Sequence, residues 1–309
     1  MSLARKVFLR ASRSRWLAER FMKQPFARRA VRRFMPGEEL SDALAAARQL
    51  ASYGIGTIIT RLGEALTGES QADEVRDHYL AAYDEIRRLG VPTVVSVKPT
   101  QLGVDQSLEL CASRLESLAR KAIETGSQLW IDMEDSPYVD RTLELYRGLK
   151  SRYEPVGLAL QAYLRRTPAD LESLMPLRPW IRLVKGAYAE PPEVAYPSKR
   201  QVDRQYVVLG ERLLQAAASG DALPIFGTHD MKILRHLVEH AEATGVARDR
   251  YEIHMLYGIR MGEQRALAAA GHKVRCLISY GSQWFPWYMR RLAERPANVW
   301  FVVRSALTR

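Results

Sequence analysis

The chain has 309 residues, 47% hydrophobic and 26% charged, enough for one large folded body and unlike a fibrous or low-complexity composition. Its two cysteines, Cys111 and Cys276, exclude a disulfide framework or a cysteine-based zinc site and fit a reducing compartment, and no apolar run reaches the ~18 residues that span a bilayer. The net charge of +11 is localised: residues 1–35 hold eleven Lys and Arg against one acid, Glu19, so the remainder is nearly neutral and a broad nucleic-acid-binding surface is excluded.

That basic stretch opens the chain. It mixes arginines with Phe8, Leu9, Trp16, Leu17, Phe21, Met22 and Phe26, and predicts a helical arm over residues 1–50 that packs on, or extends from, a body over 51–309. Helices that combine aromatic and basic residues lie on anionic lipid, which makes contact with a membrane surface one reading. Simple packing on the body stands equal to it, and an Arg-rich import presequence is a third reading. The arm has no long apolar centre, so a cleavable secretory signal is excluded.

From Ile55 the chain alternates. β-Branched, apolar runs at 55–60, 92–98, 128–133, 156–163, 180–188, 223–230, 251–256 and 273–279 predict strands. Amphipathic segments at 71–89, 106–125, 137–150, 168–175, 199–218, up to 244, 261–270 and 285–295 predict helices between and after them. Short strands, apolar on both faces and separated by helix lengths, favour a parallel sheet. Eight such units in some 240 residues match a (β/α)8 barrel preceded by N-terminal helices. An open doubly wound sheet is the alternative, but "TRLGEALTGES" after the first strand lacks its glycine-rich phosphate turn.

In such a barrel the chemistry gathers where the strands end. Those ends carry Arg61 with Glu64, Lys98, Asp132 with Glu134, Gln161, Arg182 and Lys185, Thr228 with His229, and His254; the last unit adds Arg290 and Arg291. Each alone reads as an ordinary loop residue, and "RRLAER" alone as a solvated, ion-paired helix face. Converging on one mouth, they predict cations answered by few acids, a setting for a carboxylate substrate, a phosphorylated cofactor, or both. Glu294 lies four residues beyond Arg290 and three beyond Arg291, placed to hold either. No zinc-protease spacing, serine elbow or phosphate loop is present, so cofactor chemistry without a metal is the surviving class.

The motifs "VSVKPTQLG", "WIDMED", "LALQAY", "RLVKGAY", "GTHD", "YEIHMLYGIR" and "YMRRLAERPAN" occur in that order. Together they closely resemble proline dehydrogenases of the short, single-function bacterial form, over about Arg33 to Arg304. The resemblance implies a distorted (β/α)8 barrel with FAD at its mouth, oxidising L-proline to 1-pyrroline-5-carboxylate, the first step of proline catabolism to glutamate. It implies electrons passed to a membrane quinone, a cytoplasmic protein that is peripheral on the inner membrane face, and a pyrroline-5-carboxylate dehydrogenase as pathway partner.

Position by position, the resemblance assigns Asp132 and Arg182 to catalysis. The substrate carboxylate falls to Arg290, Arg291 and Lys98, and Glu64 pairs with Arg290 to shut the site. Tyr188, Leu256 and Tyr288 pack on the substrate ring. For FAD the matching positions are Met133, Gln161, Arg182, Lys185, Gly186, Ala187, Gly227, Thr228, His254 and Glu294.

The chain departs from the family pattern in three places. Leu277 and Ser279 in "RCLISYG" stand where a tyrosine and a proline are usual, and His254 replaces a common glutamine. Leucine cannot make the tyrosine's hydrogen bonds, which predicts weaker proline binding or tolerance of a substituted ring such as hydroxyproline. His254 brings an imidazole whose charge is expected to respond to pH near neutrality. A flavoenzyme for another cyclic imino acid, and a membrane-binding barrel without catalysis, are the alternative readings.

Overall fold

The computed structural model describes residues 31–63, 68–285, 288 and 289. The arm up to residue 30, Glu64, Arg290, Arg291 and Glu294 lie outside the described residues, as does most of the helix expected over 285–295.

Eight parallel strands close into a barrel in chain order. They are β1 (Gly56–Arg61), β2 (Thr93–Val97), β3 (Leu129–Ile131), β4 (Val156–Gln161), β5 (Trp180–Val184), β6 (Leu223–Gly227), β7 (Glu252–Leu256) and β8 (Val274–Tyr280). The barrel closes between β8 and β1, paired from Gly56↔Arg275 to Arg61↔Tyr280. Between strands run α2 (Glu69–Leu89), α3 (Leu108–Glu124), α4 (Val139–Lys150), α5 (Thr167–Leu174), α6 (Lys199–Ser219), α7 (Met231–Ala243) and α8 (Met261–Ala269). Ahead of the barrel, α1 (Leu40–Ala51) buries Ala43, Leu44, Ala47 and Leu50, which join the same core as Ile55 and Ile59. The last part of the basic stretch's predicted 1–50 arm thus rests on the barrel wall.

Alternation along each strand sorts the side chains. Outward residues such as Ile59, Val95, Ile131, Leu183, Phe226, Ile253 and Cys276 pack under the helices in one core. Inward residues form a separate cluster of Ile58, Val94, Trp130 and Ile225, with Leu277 against it. Trp130 is large enough to plug the interior only because β4 offers a glycine: a Cβ on Gly157 would lie 2.4 Å from the indole ring.

The strands β2 to β6 all end before the residue the sequence predicts, at Val97, Ile131, Gln161, Val184 and Gly227. β5 was expected to reach residue 188 but ends at Val184, since Gly186 adopts φ +104°, a backbone state closed to most residues. β4 stops at Gln161, whose carbonyl accepts the Leu164 N–H at 3.2 Å in a turn. β6 stops at Gly227, after which the Asp230 side chain caps α7 by accepting from Lys232 N. Cys111 and Cys276 are buried, unpaired thiols. Among the described residues no helix is long and apolar enough to cross a membrane.

Candidate active site

Lys98, Asp132 and Arg182 leave β2, β3 and β5 on the inward side and meet at the mouth. Two residues before Lys98, and so on the same face, Ser96 completes the group. Arg182 Nη2 donates to Ser96 Oγ at 2.9 Å and to Asp132 Oδ1, and Ser96 Oγ donates to Asp132 Oδ1 at 2.9 Å. Lys98 Nζ lies 3.7 Å from the other carboxylate oxygen. Arg182 is 3% exposed, with its Cζ 5.2 Å from the Trp130 ring centroid, so the guanidinium is gripped from the side and supported from below. Burial pulls its pKa below the usual value and Asp132 opposes that pull.

The expectation of few acids at the mouth is corrected by the structure. Asp132 answers both Lys98 and Arg182. Lys185 Nζ is held at 2.5 Å by Asp203 of α6 and at 2.8 Å by Asp230, and Lys199 joins the same two carboxylates. Burial pushes the Asp230 carboxyl up, but Lys185 and Lys199 outweigh it and bring its pKa down to about 2. A cation so held keeps its position, and part of its charge remains available to an anion. Among the described residues, no group of three His, Cys, Asp or Glu side chains converges as a metal site requires.

Behind this group the polar line continues down the inside of the barrel. His254 Nε2 lies 3.0 Å from Glu252 Oε2, which also accepts from Arg275 Nε at 2.8 Å. Burial raises the Glu252 pKa, but His254 and Arg275 bring it down to about 2. Burial also lowers the His254 pKa from 6.5 to about 4. The imidazole is therefore neutral through neutrality, which corrects the expectation of a charge change there. Because the folded value lies below the unfolded one, the stability tied to this ring is intact above pH 6.5 and is lost as pH falls toward 4. The thermal midpoint of the wild type is expected to fall more steeply between those pH values than that of His254→Gln. Parallel curves in a pH series of melts would refute this assignment.

The remaining predicted positions are distributed as follows. Gln161 and Met133 meet through a 3.3 Å bond from Gln161 Nε2 to the Met133 carbonyl. Thr228 Oγ1 accepts from Asp230 N at 3.1 Å, and His229 Nε2 accepts from Leu256 N at 2.9 Å, a structural duty. Gly227 sits where a Cβ would be 2.7 Å from Val184 and 3.0 Å from the Leu183 carbonyl. Gly186 lets the chain pass the Tyr163 ring, 2.1 Å from where its Cβ would stand, and Ala187 and Tyr188 follow it in the β5–α6 loop. Leu256 and Leu277 are register partners across β7 and β8, so they form adjoining apolar positions. Tyr288 is fully buried, with its ring 6.2 Å from both Phe34 and Trp284.

The buried polar atoms with no protein partner among the described residues include Arg182 Nη1, Gln161 Oε1 and His254 Nδ1. One is a donor and one an acceptor, and the third is an acceptor whenever Glu252 takes the Nε2 proton. Orphans of this kind are rare in folded proteins and mark places where a ligand supplies the missing bond.

The model of the family described as proline dehydrogenase matches residues 43–304. The chain belongs to the proline dehydrogenase family. It is 36% identical to proline dehydrogenase of Deinococcus radiodurans, over 94% of this chain and 96% of that one. To proline dehydrogenase 1 of Bacillus subtilis strain 168 it is 33% identical over 99% of both. Among solved structures it resembles proline utilization A from Bdellovibrio bacteriovorus inactivated by N-propargylglycine, with TM-score 0.81, 24% identity and 94% of this chain covered. That likeness concerns the fold, and the chain spans 36% of the Bdellovibrio protein's length.

Sequence reasoning did not single out Ser96, Trp130, Asp203 or Glu252. Ser96 and Glu252 stood two residues before Lys98 and His254, at the period that places side chains on one strand face. Asp203 carried no such signal, since it reaches Lys185 from a different element.

Proposed function

We propose that the chain oxidises L-proline to 1-pyrroline-5-carboxylate using FAD and passes the electrons to a membrane quinone. The observation that carries this reading is the buried Arg182, clamped by Asp132 and Ser96 beside Lys98, with Nη1 lacking a partner among the described residues.

The residues present suit FAD. The orphaned atoms of Arg182, Gln161 and His254 are the donor and acceptors that a flavin ring's edge requires. Met133, Gly186, Ala187, Gly227, Thr228 and Lys185 would hold the rest of it, with Glu294 carried over from the family pattern. Bound FAD supplies the acceptor for the hydride leaving the ring carbon next to the proline nitrogen.

This chain's residues do the remainder. Lys98, together with Arg290 and Arg291, takes the substrate carboxylate, and Glu64 pairs with Arg290 over it. Tyr188, Leu256, Leu277 and Tyr288 offer the ring apolar contact, which fixes the reacting carbon. Lys98 and Arg182 together exceed the single charge of Asp132, so the local field disfavours a protonated substrate amine. Loss of the nitrogen's proton and of the carbon's hydride leaves a C=N bond. Arg182 stands ready where negative charge grows, held in place before the reaction begins.

The basic arm suits an anionic membrane surface, where a quinone is found, and supports the reading of a cytoplasmic protein peripheral on the inner membrane face. A pyrroline-5-carboxylate dehydrogenase would consume the product. Purified protein is expected to be yellow and to reduce a quinone analogue with proline but not with an acyclic amino acid. Colourless protein that is inert toward proline would contradict the reading.

Leu277 favours a second substrate, hydroxyproline, because leucine has neither the ring nor the hydroxyl of a tyrosine at that position. Leu277→Tyr is expected to lower kcat/KM for hydroxyproline relative to proline by roughly tenfold, the scale of one hydrogen bond or steric conflict in a pocket. Steady-state kinetics on both amino acids check it, and an unaltered ratio would exclude Leu277 from ring recognition.

A further inference from the structure

The turn that follows Lys98 is fastened on two sides. Pro99–Leu102 form one short helical turn. On one side, Thr100 gives both its N–H (3.0 Å) and its hydroxyl (2.6 Å) to the two oxygens of Glu134 at the exit of β3. On the other, Gln101 Nε2 donates to the carbonyls of Arg61 (2.8 Å) and Gly63 (2.7 Å) at the exit of β1. Gln101 is 2% exposed and Glu134 5%, so neither set of bonds competes with bulk water. Arg114 Nη1 adds a third fastening by donating to the Leu102 carbonyl at 3.1 Å.

These bonds are more than one exposed loop needs to keep its shape. They tie the exits of β1 and β3 to the turn that directly follows the site's lysine at the exit of β2. We infer that Gln101, supported by the Thr100–Glu134 pair, is a positioning residue that fixes where Lys98 presents its ammonium group to a carboxylate-bearing ligand. The inference rests on the proposed role of Lys98. Lys98 has a flexible four-carbon stem and a point charge, so its aim depends on the backbone from which it springs. Loss of the two Gln101 bonds frees the turn from β1 and leaves it to the Thr100–Glu134 pair and Arg114, while among the described residues Asp132, 3.7 Å away, is the ion-pair partner of the lysine. Carboxylate recognition is lost before ring recognition.

The test uses the flavin-loaded enzyme and the substitutions Gln101→Met, Thr100→Val and Lys98→Met. The probes are proline, cyclopentanecarboxylate (a ring with the carboxylate but no amine) and pyrrolidine (the ring amine without the carboxylate), the last two as competing ligands. Gln101→Met is expected to raise KM for proline and Ki for cyclopentanecarboxylate by roughly tenfold, with kcat within about twofold and Ki for pyrrolidine unmoved. In the Lys98→Met background the same substitution is expected to add nothing, because the residue it acts through is gone.

A fall in kcat with KM unchanged, equal losses for both rings, or the full effect persisting without Lys98 would overturn the inference. If Gln101→Met yields no folded holoenzyme, Thr100→Val carries the same test, since it deletes one hydroxyl bond and leaves the Thr100 N–H bond in place. Lys98→Met with an unaltered proline KM would instead sink the assignment of Lys98 itself. Lys98→Met with a raised KM, beside an inert Gln101→Met, would sink only the positioning role.

Discussion

Replacing Asp132 by alanine is expected to cost both activity and stability. Among the described residues Asp132 is the only carboxylate on Arg182, whose side chain is 4% exposed. Removing one partner of such a pair strands a charge in a poorly solvated place and costs about 3–5 kcal/mol. The second loss is functional. Among the described residues Arg182 is then left with the Ser96 bond and the Trp130 ring beneath it, and a cation that must wait where charge develops loses its fixed direction, a loss on the scale of about a hundredfold in kcat/KM.

Urea denaturation and steady-state kinetics with proline measure the two losses separately. The double variant Asp132→Ala/Arg182→Met is expected to be more stable than Asp132→Ala alone, since it removes the stranded charge, while remaining as inactive. A double variant as unstable as the sum of its parts would show that the two residues do not act as a pair.

The second large effect is expected at Trp130. Its indole has no exposure, fills the space beside Gly157, lies under Arg182 and meets His254 edge-on at 5.6 Å. Truncation to alanine leaves a cavity in the barrel interior and costs about 3–5 kcal/mol, or on the order of 10 °C in thermal midpoint for a chain of this size. Flavin retention is expected to fall with it, because the floor under Arg182 is gone. Trp130→Phe keeps a ring there and is expected to retain most of both. If alanine and phenylalanine variants melt together near the wild type, the indole does not support the site.

The barrel was legible because its strands obey two patterns together: β-branched content and a helix-length interval between them. Outward positions such as Ile59, Val95 and Ile253 are packed under helices, so both strand faces are apolar and the parallel arrangement follows. The cations at the strand ends were legible for the same reason, since each closes an apolar run. The partners of Lys185 were not. Asp203 and Asp230 come to Lys185 from 18 and 45 residues away, and only the fold's closure brings them together.

His254 shows the same limit in another form. From sequence it is a group that titrates near neutrality, and only its burial against Trp130, which outweighs the opposing pull of its bond to Glu252, makes it a neutral one. Gln101 lies within the motif "VSVKPTQLG", yet no spacing rule connects it to the carbonyls of Arg61 and Gly63 across the mouth. Exits of neighbouring strands become neighbours only when the sheet closes.

The most direct test is an anaerobic titration of the purified, flavin-loaded protein with L-proline, following absorbance near the flavin's long-wavelength band. Bleaching on mixing, lost in Arg182→Met, is the expected result. A flavin that stays oxidised under excess proline, in protein shown by melting to be folded, would contradict the assignment of this mouth to imino-acid oxidation.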